Sequence, residues 1–109
     1  MPGKATKVTI TERQQQILDE FSRSRSEPYF LRQRATLVLL AFAGLRNEQI
    51  APQVDLERHQ VGIWRSRWAA AFDRLVLVEC LEDTTALRQA IRERLADAPR
   101  AGSPGKFTA

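Results

Sequence analysis

The feature that most narrows the folds open to this chain is an apolar stretch in its middle, ATLVLLAFAGL, which begins at Ala35. The helix that contains it is predicted over 29–43, starting behind Pro28 and ending at Gly44, a residue that tolerates a left-handed closing conformation. Because so many of its sides are apolar, this helix should be surrounded by other helices. It is too short to span a bilayer. The inward positions are predicted to be Leu31, Ala35, Leu37, Val38, Leu39, Leu40 and Phe42.

A first helix is predicted over 11–24, before this central one. Thr11 and Gln14 form a capping-box pattern, in which each side chain satisfies a backbone donor at the start of a helix. Ile17 and Phe21 follow at helical spacing. The ten residues before this helix are mostly polar and include Pro2 and Gly3, so we expect them to be a flexible N-terminus.

A last helix is predicted over 84–97, with Thr84 or Thr85 as its cap and Pro99 as its stop. Its apolar stripe consists of Leu87, Ile91 and Leu95, and its basic positions are Arg88, Arg92 and Arg94. The stripe is predicted to cover Leu75 and Leu77. The alternatives are a basic face for nucleic acid and a seam for a partner or a second copy.

Composition sets the broad class. The chain has 109 residues and 43% hydrophobic residues, which is enough for one modest core. We therefore expect one domain over 11–97, followed by a Gly/Pro-rich linker over 98–109. A net charge of +4 favours polyanionic partners. With one cysteine, Cys80, and one histidine, we expect no disulfide, metal site or cofactor, and a cytoplasmic location.

The segment NEQIAPQVDLERHQVGIWRSRW, from Asn47 to Trp68, predicts two helices joined by a tight turn. A helix-turn-helix needs a small residue in its first helix, a turn-permissive residue four positions later and an apolar residue six beyond that. Ala51, Asp55 and Val61 occupy these positions, with Ile50, Val54 and Leu56 as flanking core residues. Trp64 and Trp68 continue the inward stripe and are predicted to be core residues.

The opposite face of the second helix offers side chains suited to DNA. Near its start, Arg58, His59, Gln60 and Ile63 would contact bases, with Ile63 against a thymine methyl. Arg65, at the edge of this face, and Arg67 would bind phosphates. The complete set of predicted DNA-binding residues is Arg58, His59, Gln60, Gly62, Ile63, Arg65, Ser66 and Arg67. The lack of a side chain at Gly62 either permits close approach to DNA or is merely tolerated in the helix.

Four segments together resemble the N-terminal DNA-binding region of bacterial insertion-sequence transposases of the mariner superfamily. They are LRQRATLVLLAFAGL, NEQIA, VGIWRSRW and the terminal DAPRAGSPGKFT, in that order. The resemblance covers 31–108. It implies an all-α, homeodomain-like helix-turn-helix bundle of four to five helices, with the recognition helix at 58–71 and a linker behind it.

The resemblance also implies a function. Members of the family recognise the terminal inverted repeats of their element as double-stranded DNA and cut it with a separate, metal-dependent carboxylate domain. No acidic residue of this sequence can be assigned to those carboxylates, so we expect the chain not to be an enzyme. A catalytic transposase chain would be its partner, at the bacterial nucleoid. A second copy of the chain, in a homodimer, is a further possible partner.

Three residues depart from the family pattern. Pro52 lies inside the first helix of the pair, where proline removes a backbone donor and clashes with the preceding turn, so a late start or a kink is expected. Arg46 stands where a serine cap is usual, which leaves Asn47 as the predicted cap. Glu57 opens the second helix, where a carboxylate suits the helix dipole but repels phosphate.

Three alternatives remain open on sequence alone. The chain could be a stand-alone helix-turn-helix transcriptional regulator that uses the same module. It could be a helical protein-interaction domain without DNA binding, which contacts its partner through the stripe of the last helix. It could also be the poorly folding product of an inactive gene copy, with Pro52 as the symptom.

Overall fold

The computed structural model describes residues 6–96, and this part of the chain contains five α-helices and no β-strand. The helices are α1 (Glu12–Arg23), α2 (Tyr29–Phe42), α3 (Asn47–Val54), α4 (Arg58–Leu81) and α5 (Thr84–Leu95). The all-α class predicted from the sequence is confirmed. The predicted linker over 98–109 and the first five residues lie outside the described residues.

Helix α2 lies at the centre of the bundle, as its composition predicts. It packs against all four other helices, and Leu31, Leu37 and Val38 are almost completely buried. Gly44 follows the helix with a φ of +101°, a left-handed conformation that favours glycine. Phe42 was predicted to face inward but is 42% exposed, because it ends the helix and lines a surface cavity. Within residues 6–96, no helix combines the length and apolar character needed to cross a membrane.

Residues 6–10 form an extended segment that packs on α4, so the expectation of a flexible N-terminus is wrong for these residues. Val8 and Ile10 are buried, with 4% and 7% exposure, while Lys7 and Thr9 point to solvent. The Trp68 indole Nε1 donates a hydrogen bond of 2.9 Å to the Thr9 carbonyl. The segment therefore covers part of α4 and satisfies the polar atom of a buried tryptophan.

The capping box predicted at the start of α1 is present. The Thr11 hydroxyl accepts the Gln14 backbone N–H at 3.1 Å, and the Gln14 side-chain oxygen accepts the Thr11 N–H at 3.1 Å. The same hydroxyl donates to the Glu79 carboxylate on α4 at 2.7 Å. The cap thus starts α1 and also ties it to the far end of α4.

Helix α5 closes the bundle with its apolar stripe turned inward. Leu87, Ile91 and Leu95 are at most 2% exposed, which confirms the predicted covering role. The covered residue is Leu75, which is fully buried, whereas Leu77 is 57% exposed and its predicted cover is wrong. Leu77 lies two positions after Leu75 on α4, so its side chain points to the outer surface of that helix.

Ionic contacts fix α5 to α1 and to the loop between α1 and α2. Arg88 pairs with Glu20 at 2.6 Å, and Arg92 contacts both carboxylate oxygens of Glu27, at 2.5 and 2.9 Å. These two arginines are therefore engaged within the bundle and do not form a free basic face. The cap of α5 is Asp83, whose carboxylate accepts the Ala86 N–H at 2.9 Å, and not Thr84 or Thr85 as predicted.

Pro52 lies inside α3, and the helix accommodates it without a late start. Helix α3 begins at Asn47, five residues before the proline. A non-proline residue at this position would donate its N–H to the carbonyl of Glu48. Both Pro52 and Glu48 are exposed, so solvent can hydrogen-bond the unused carbonyl. The cost of the proline is therefore lower here than in a buried helix.

The packing of the N-terminal segment predicts a specific loss of stability on mutation. Ile10→Ala should lower the free energy of unfolding by about 2 kcal/mol, because it removes a buried side chain and leaves a cavity beside α4. The measurement is urea unfolding followed by circular dichroism. Thr9→Ala is the control, because the Thr9 side chain is exposed and only its carbonyl is used. Equal stability of the two variants would contradict the packed segment.

The Glu27–Arg92 pair predicts a dependence of stability on pH. The Arg92 hydrogen bonds hold the pKa of the Glu27 carboxyl below its ordinary value, although burial opposes them in part. A carboxyl with a lowered pKa in the folded chain stabilises it at neutral pH, and this contribution is lost as the pH falls below about 4.5 and through the folded pKa.

Glu27→Gln should therefore lower the free energy of unfolding by up to about 1 kcal/mol at pH 7, because the pair is partly screened by solvent. The difference from the unchanged chain should shrink in acid. Urea unfolding at pH 7 and below pH 4 measures it, with the exposed Glu82→Gln as control. A deficit that persists unchanged in acid would contradict the charge-based explanation.

Candidate nucleic-acid interface

The turn between α3 and α4 sets the direction of α4. Its first residue, Asp55, has a left-handed backbone with φ +60° and ψ +45°, as expected for the turn-permissive position. This conformation lets the N–H groups of Asp55 and Leu56 both donate to the Ala51 carbonyl. From α2, the Gln33 amide donates to the Val54 carbonyl at 2.6 Å. The end of α3 is therefore held from two sides.

The inward stripe of α4 is confirmed. Val61 is fully buried, and Trp64 and Trp68 are 8% and 1% exposed. The recognition helix predicted over 58–71 is the first part of a longer helix, which continues to Leu81 and has 24 residues in all. The apolar stripe continues through Ala71 and Leu75, so packing against α5 supports the longer helix.

The first half of α4 exposes five of the predicted DNA-contacting side chains. They are Arg58, His59, Gln60, Ile63 and Ser66, and Ile63 is 40% exposed although it is apolar. On a helix with 3.6 residues per turn, His59, Ile63 and Ser66 lie close to the direction opposite the buried stripe. The surface combines a cation, an imidazole, an amide, a hydroxyl and an apolar side chain.

Gln60 and Glu57 organise the beginning of this helix. The Gln60 side-chain oxygen accepts the Glu57 backbone N–H at 3.1 Å, so it supports the helix start. Within residues 6–96, no hydrogen bond engages the Gln60 amide nitrogen, which leaves a donor at an exposed position. The exposed Glu57 carboxylate lies beside it and adds negative charge at this end of the surface.

Arginine side chains stack on the ring of Trp64. The Arg67 guanidinium lies 4.8 Å and the Arg34 guanidinium 4.2 Å from the ring centre. Arg67 is half-buried as a result, and its charge is held at the edge of the surface. Arg34 is half-buried as well, and it donates a hydrogen bond to the Leu95 carbonyl at 2.8 Å.

Arg65 lies in the interior and not on the exposed face of α4, at whose edge it was predicted to lie. It is only 5% exposed. Its Nε donates to the Thr6 carbonyl at 3.0 Å, and its Nη1 donates to the Leu45 carbonyl at 2.7 Å and to the Asn47 side-chain oxygen at 3.2 Å. Burial lowers the pKa of this guanidinium. These bonds draw the side chain away from the exposed face of α4.

Gly62 lies at the contact between α4 and α3. A Cβ built on it would be 3.2 Å from the side-chain nitrogen Nδ2 of Asn47, which is tighter than ordinary packing. The missing side chain therefore permits close approach of another part of this chain, a role that the sequence did not suggest. Asn47 does not act as the cap of α3, because the bond at this helix start runs from the Arg46 N–H to the Gln49 side-chain oxygen at 2.8 Å.

The sequence did not identify Lys7 and Arg46 as members of this surface. The Thr6 and Ser66 hydroxyl oxygens are 3.4 Å apart, which places the N-terminal segment beside the exposed face of α4. Lys7 and Arg46 are both exposed. The alternation of polar and apolar residues in Lys7 to Ile10 was the available signal for an extended segment with one buried side.

Residues 6–96 hold no group of three or more His, Cys, Asp or Glu side chains arranged to bind a metal ion. Comparisons of the chain with protein-family models, with curated proteins and with solved structures found no match. The chemistry of the described surface is therefore the basis for the functional proposal.

The left-handed turn predicts opposite effects of two substitutions at one position. Asp55→Val should lower the free energy of unfolding by about 1–2 kcal/mol, because a β-branched residue is strained at positive φ. Asp55→Gly should be neutral or stabilising, since glycine adopts this conformation without strain. Thermal unfolding of both variants measures the difference. A valine variant as stable as the glycine variant would contradict the conformation at Asp55.

Proposed function

We propose that this chain is a sequence-specific DNA-binding module of a bacterial insertion-sequence transposase of the mariner superfamily. Helices α3 and α4 would act as a homeodomain-like helix-turn-helix, with the first half of α4 in the major groove. The DNA would be the terminal inverted repeats of the element, at the bacterial nucleoid, and a catalytic transposase chain would cut it.

One observation carries this proposal: the first half of α4 presents polar and cationic side chains outward while its other side is anchored in the core. Val61 and Trp68 are buried, and Arg58 and His59 are exposed on the same helix. A recognition helix needs this division, because its inner side fixes the orientation with which its outer side meets the base edges. The positive net charge of the chain supports a polyanionic partner.

The interior position of Arg65 revises the expected division of roles. Arg58, His59, the Gln60 amide and Ile63 remain the proposed base contacts, and Ser66 borders them. Arg67 is the proposed phosphate contact on the exposed face of α4, because stacking on Trp64 holds its charge at the edge of the surface. Gly62 is withdrawn as a site of close DNA approach, since Asn47 occupies the adjacent space.

The interaction-domain alternative loses its proposed surface, because Leu87, Ile91 and Leu95 are buried within the bundle. A stand-alone transcriptional regulator would use the same exposed face of α4 as a transposase module. The DNA sequence that binds best distinguishes these two functions: a terminal repeat in one case and a promoter operator in the other.

Fluorescence anisotropy with labelled duplexes tests DNA binding. One duplex carries the terminal repeat that flanks the gene, and the other carries the same bases in scrambled order. We expect tighter binding to the repeat, and a logarithm of affinity that falls with the logarithm of salt at roughly −0.9 per phosphate contact. Equal, weak binding to both duplexes would contradict sequence-specific recognition.

Two substitutions separate base contacts from phosphate contacts. Arg58→Ala should reduce the preference for the repeat about tenfold, within the range measured for loss of one good base contact. Arg67→Ala should weaken binding to both duplexes alike and reduce the salt slope by about 1. Arg25→Ala, in the exposed loop before α2, is the matched control for loss of one positive charge. An Arg25 effect as large as the other two would indicate attraction by net charge alone.

A further inference from the structure

A cavity of about 300 Å³ opens beside α4, outside the exposed face assigned above to the bases. It lies between the N-terminal segment, the end of α2 and the start of α3, and its lining includes Lys7, Gly44, Arg46 and Arg65. A Cβ at Gly44 would meet nothing within 4 Å, so the cavity is open at this point. Three of these four residues carry positive charge.

The guanidinium of Arg65 has donors left for a ligand in this cavity. Its three hydrogen bonds use Nε and Nη1, and all of their acceptors are neutral oxygens, on Thr6, Leu45 and Asn47. Within residues 6–96, no carboxylate lies within ion-pair distance of Arg65, and no acceptor engages Nη2. Nη2 is therefore the donor of this guanidinium that the described residues leave unused. The Arg65 side chain lines the cavity although the residue is only 5% exposed.

The charges around the cavity favour an anion. A buried cation without a counter-charge is unfavourable, and burial accordingly lowers the pKa of the Arg65 guanidinium. Lys7 and Arg46 add two exposed cations. The opposing charge is Glu48, whose carboxylate lies 3.3 Å from Arg46 Nε and is 55% exposed. A phosphate group would compete with this carboxylate for Arg46 and would accept hydrogen bonds from Arg65.

The position of the cavity relative to α4 points to the phosphate of a DNA strand. Arg58 and Arg65 are seven residues apart on α4, almost two full turns, and so lie on the same side of the helix about 10 Å apart. A strand whose bases meet the start of α4 at Arg58 would carry its backbone past this side. Arg65 is fixed by its three interior hydrogen bonds, so little side-chain entropy is lost when it binds.

We infer that this cavity is a phosphate site, formed by Arg65 inside and by Lys7 and Arg46 at its mouth, which holds a backbone phosphate of the DNA that contacts α4. This inference rests on the proposed function for the source of the phosphate. Inorganic phosphate has the same chemistry and is the probe that separates the site from the DNA.

The test combines two titrations of the full chain, of which the first is made at constant ionic strength. In the first, inorganic phosphate is added to ¹⁵N-labelled protein, and the signals of the Gly44 and Arg46 amides and of the Arg65 Nε–H are followed by NMR. In the second, a labelled duplex is added at several salt concentrations. We expect saturable shifts confined to these signals, and duplex binding whose salt slope includes a contact at Arg46.

Variants at the mouth of the cavity leave the interior bonds of Arg65 intact. Arg46→Gln should weaken phosphate binding roughly two- to fivefold, the range for exposed charge pairs, and should reduce the duplex salt slope by about 1. Glu48→Gln should strengthen the binding of phosphate and of the duplex, because it removes the competing carboxylate. Arg25→Gln is the matched control, since α2 separates it from the cavity by about 20 Å of helix.

The outcomes distinguish the two proposals. If the duplex binds and depends on Arg58, but Arg46→Gln behaves like Arg25→Gln and phosphate causes no local shifts, the inference fails and the proposed function stands. If phosphate saturates the site and no duplex binds, the site binds phosphate but DNA is excluded as its source, and the proposed function fails. If neither ligand binds a folded sample, both fail.

Discussion

The hydrogen bonds of Arg65 join α4 to two parts of the chain that are distant from it in sequence. From the first half of α4, its guanidinium reaches the N-terminal segment at Thr6, and it reaches the connection between α2 and α3 at Leu45 and Asn47. Without it, the three oxygen atoms of these part-buried hydrogen bonds would lose this donor. Arg65 therefore helps to fix the relative positions of α3, α4 and the N-terminal segment, the three elements that compose the candidate interface.

The sequence predicts most of the helices because their physical signals are local. The capping box at Thr11, the apolar run of α2 and the closing Gly44 each act within a few residues, and each is found in the structure. The turn at Asp55 is also local, since an aspartate tolerates positive φ better than most residues. The predicted starts and ends fall within one or two residues for α1, α2 and α5, while α4 extends beyond the recognition helix predicted over 58–71.

The sequence alone could not place Arg65, Gly62 or the N-terminal segment, because their positions depend on contacts between distant residues. Helical spacing puts Arg65 at the edge between the inner and outer sides of α4, where residue type favours solvent. In the structure, Arg65 instead turns inward, because it donates to the backbone carbonyls of Thr6 and Leu45 in two other segments. In the same way, the close approach of Asn47 to Gly62 follows from the packing of α3 on α4. The assignment of exposed residues to base contacts or to phosphate contacts stays a prediction.

The length of α4 has a consequence for the geometry of a complex. A helix of 24 residues is about 36 Å long, whereas the major groove of DNA is about 12 Å wide. In the proposed complex, only the first half of α4 would lie against base edges, and the second half would extend away from the duplex. Helix α5 packs on α4, with Arg88 and Arg92 already paired to carboxylates. In that complex, the length of α4 would keep α5 away from the DNA surface.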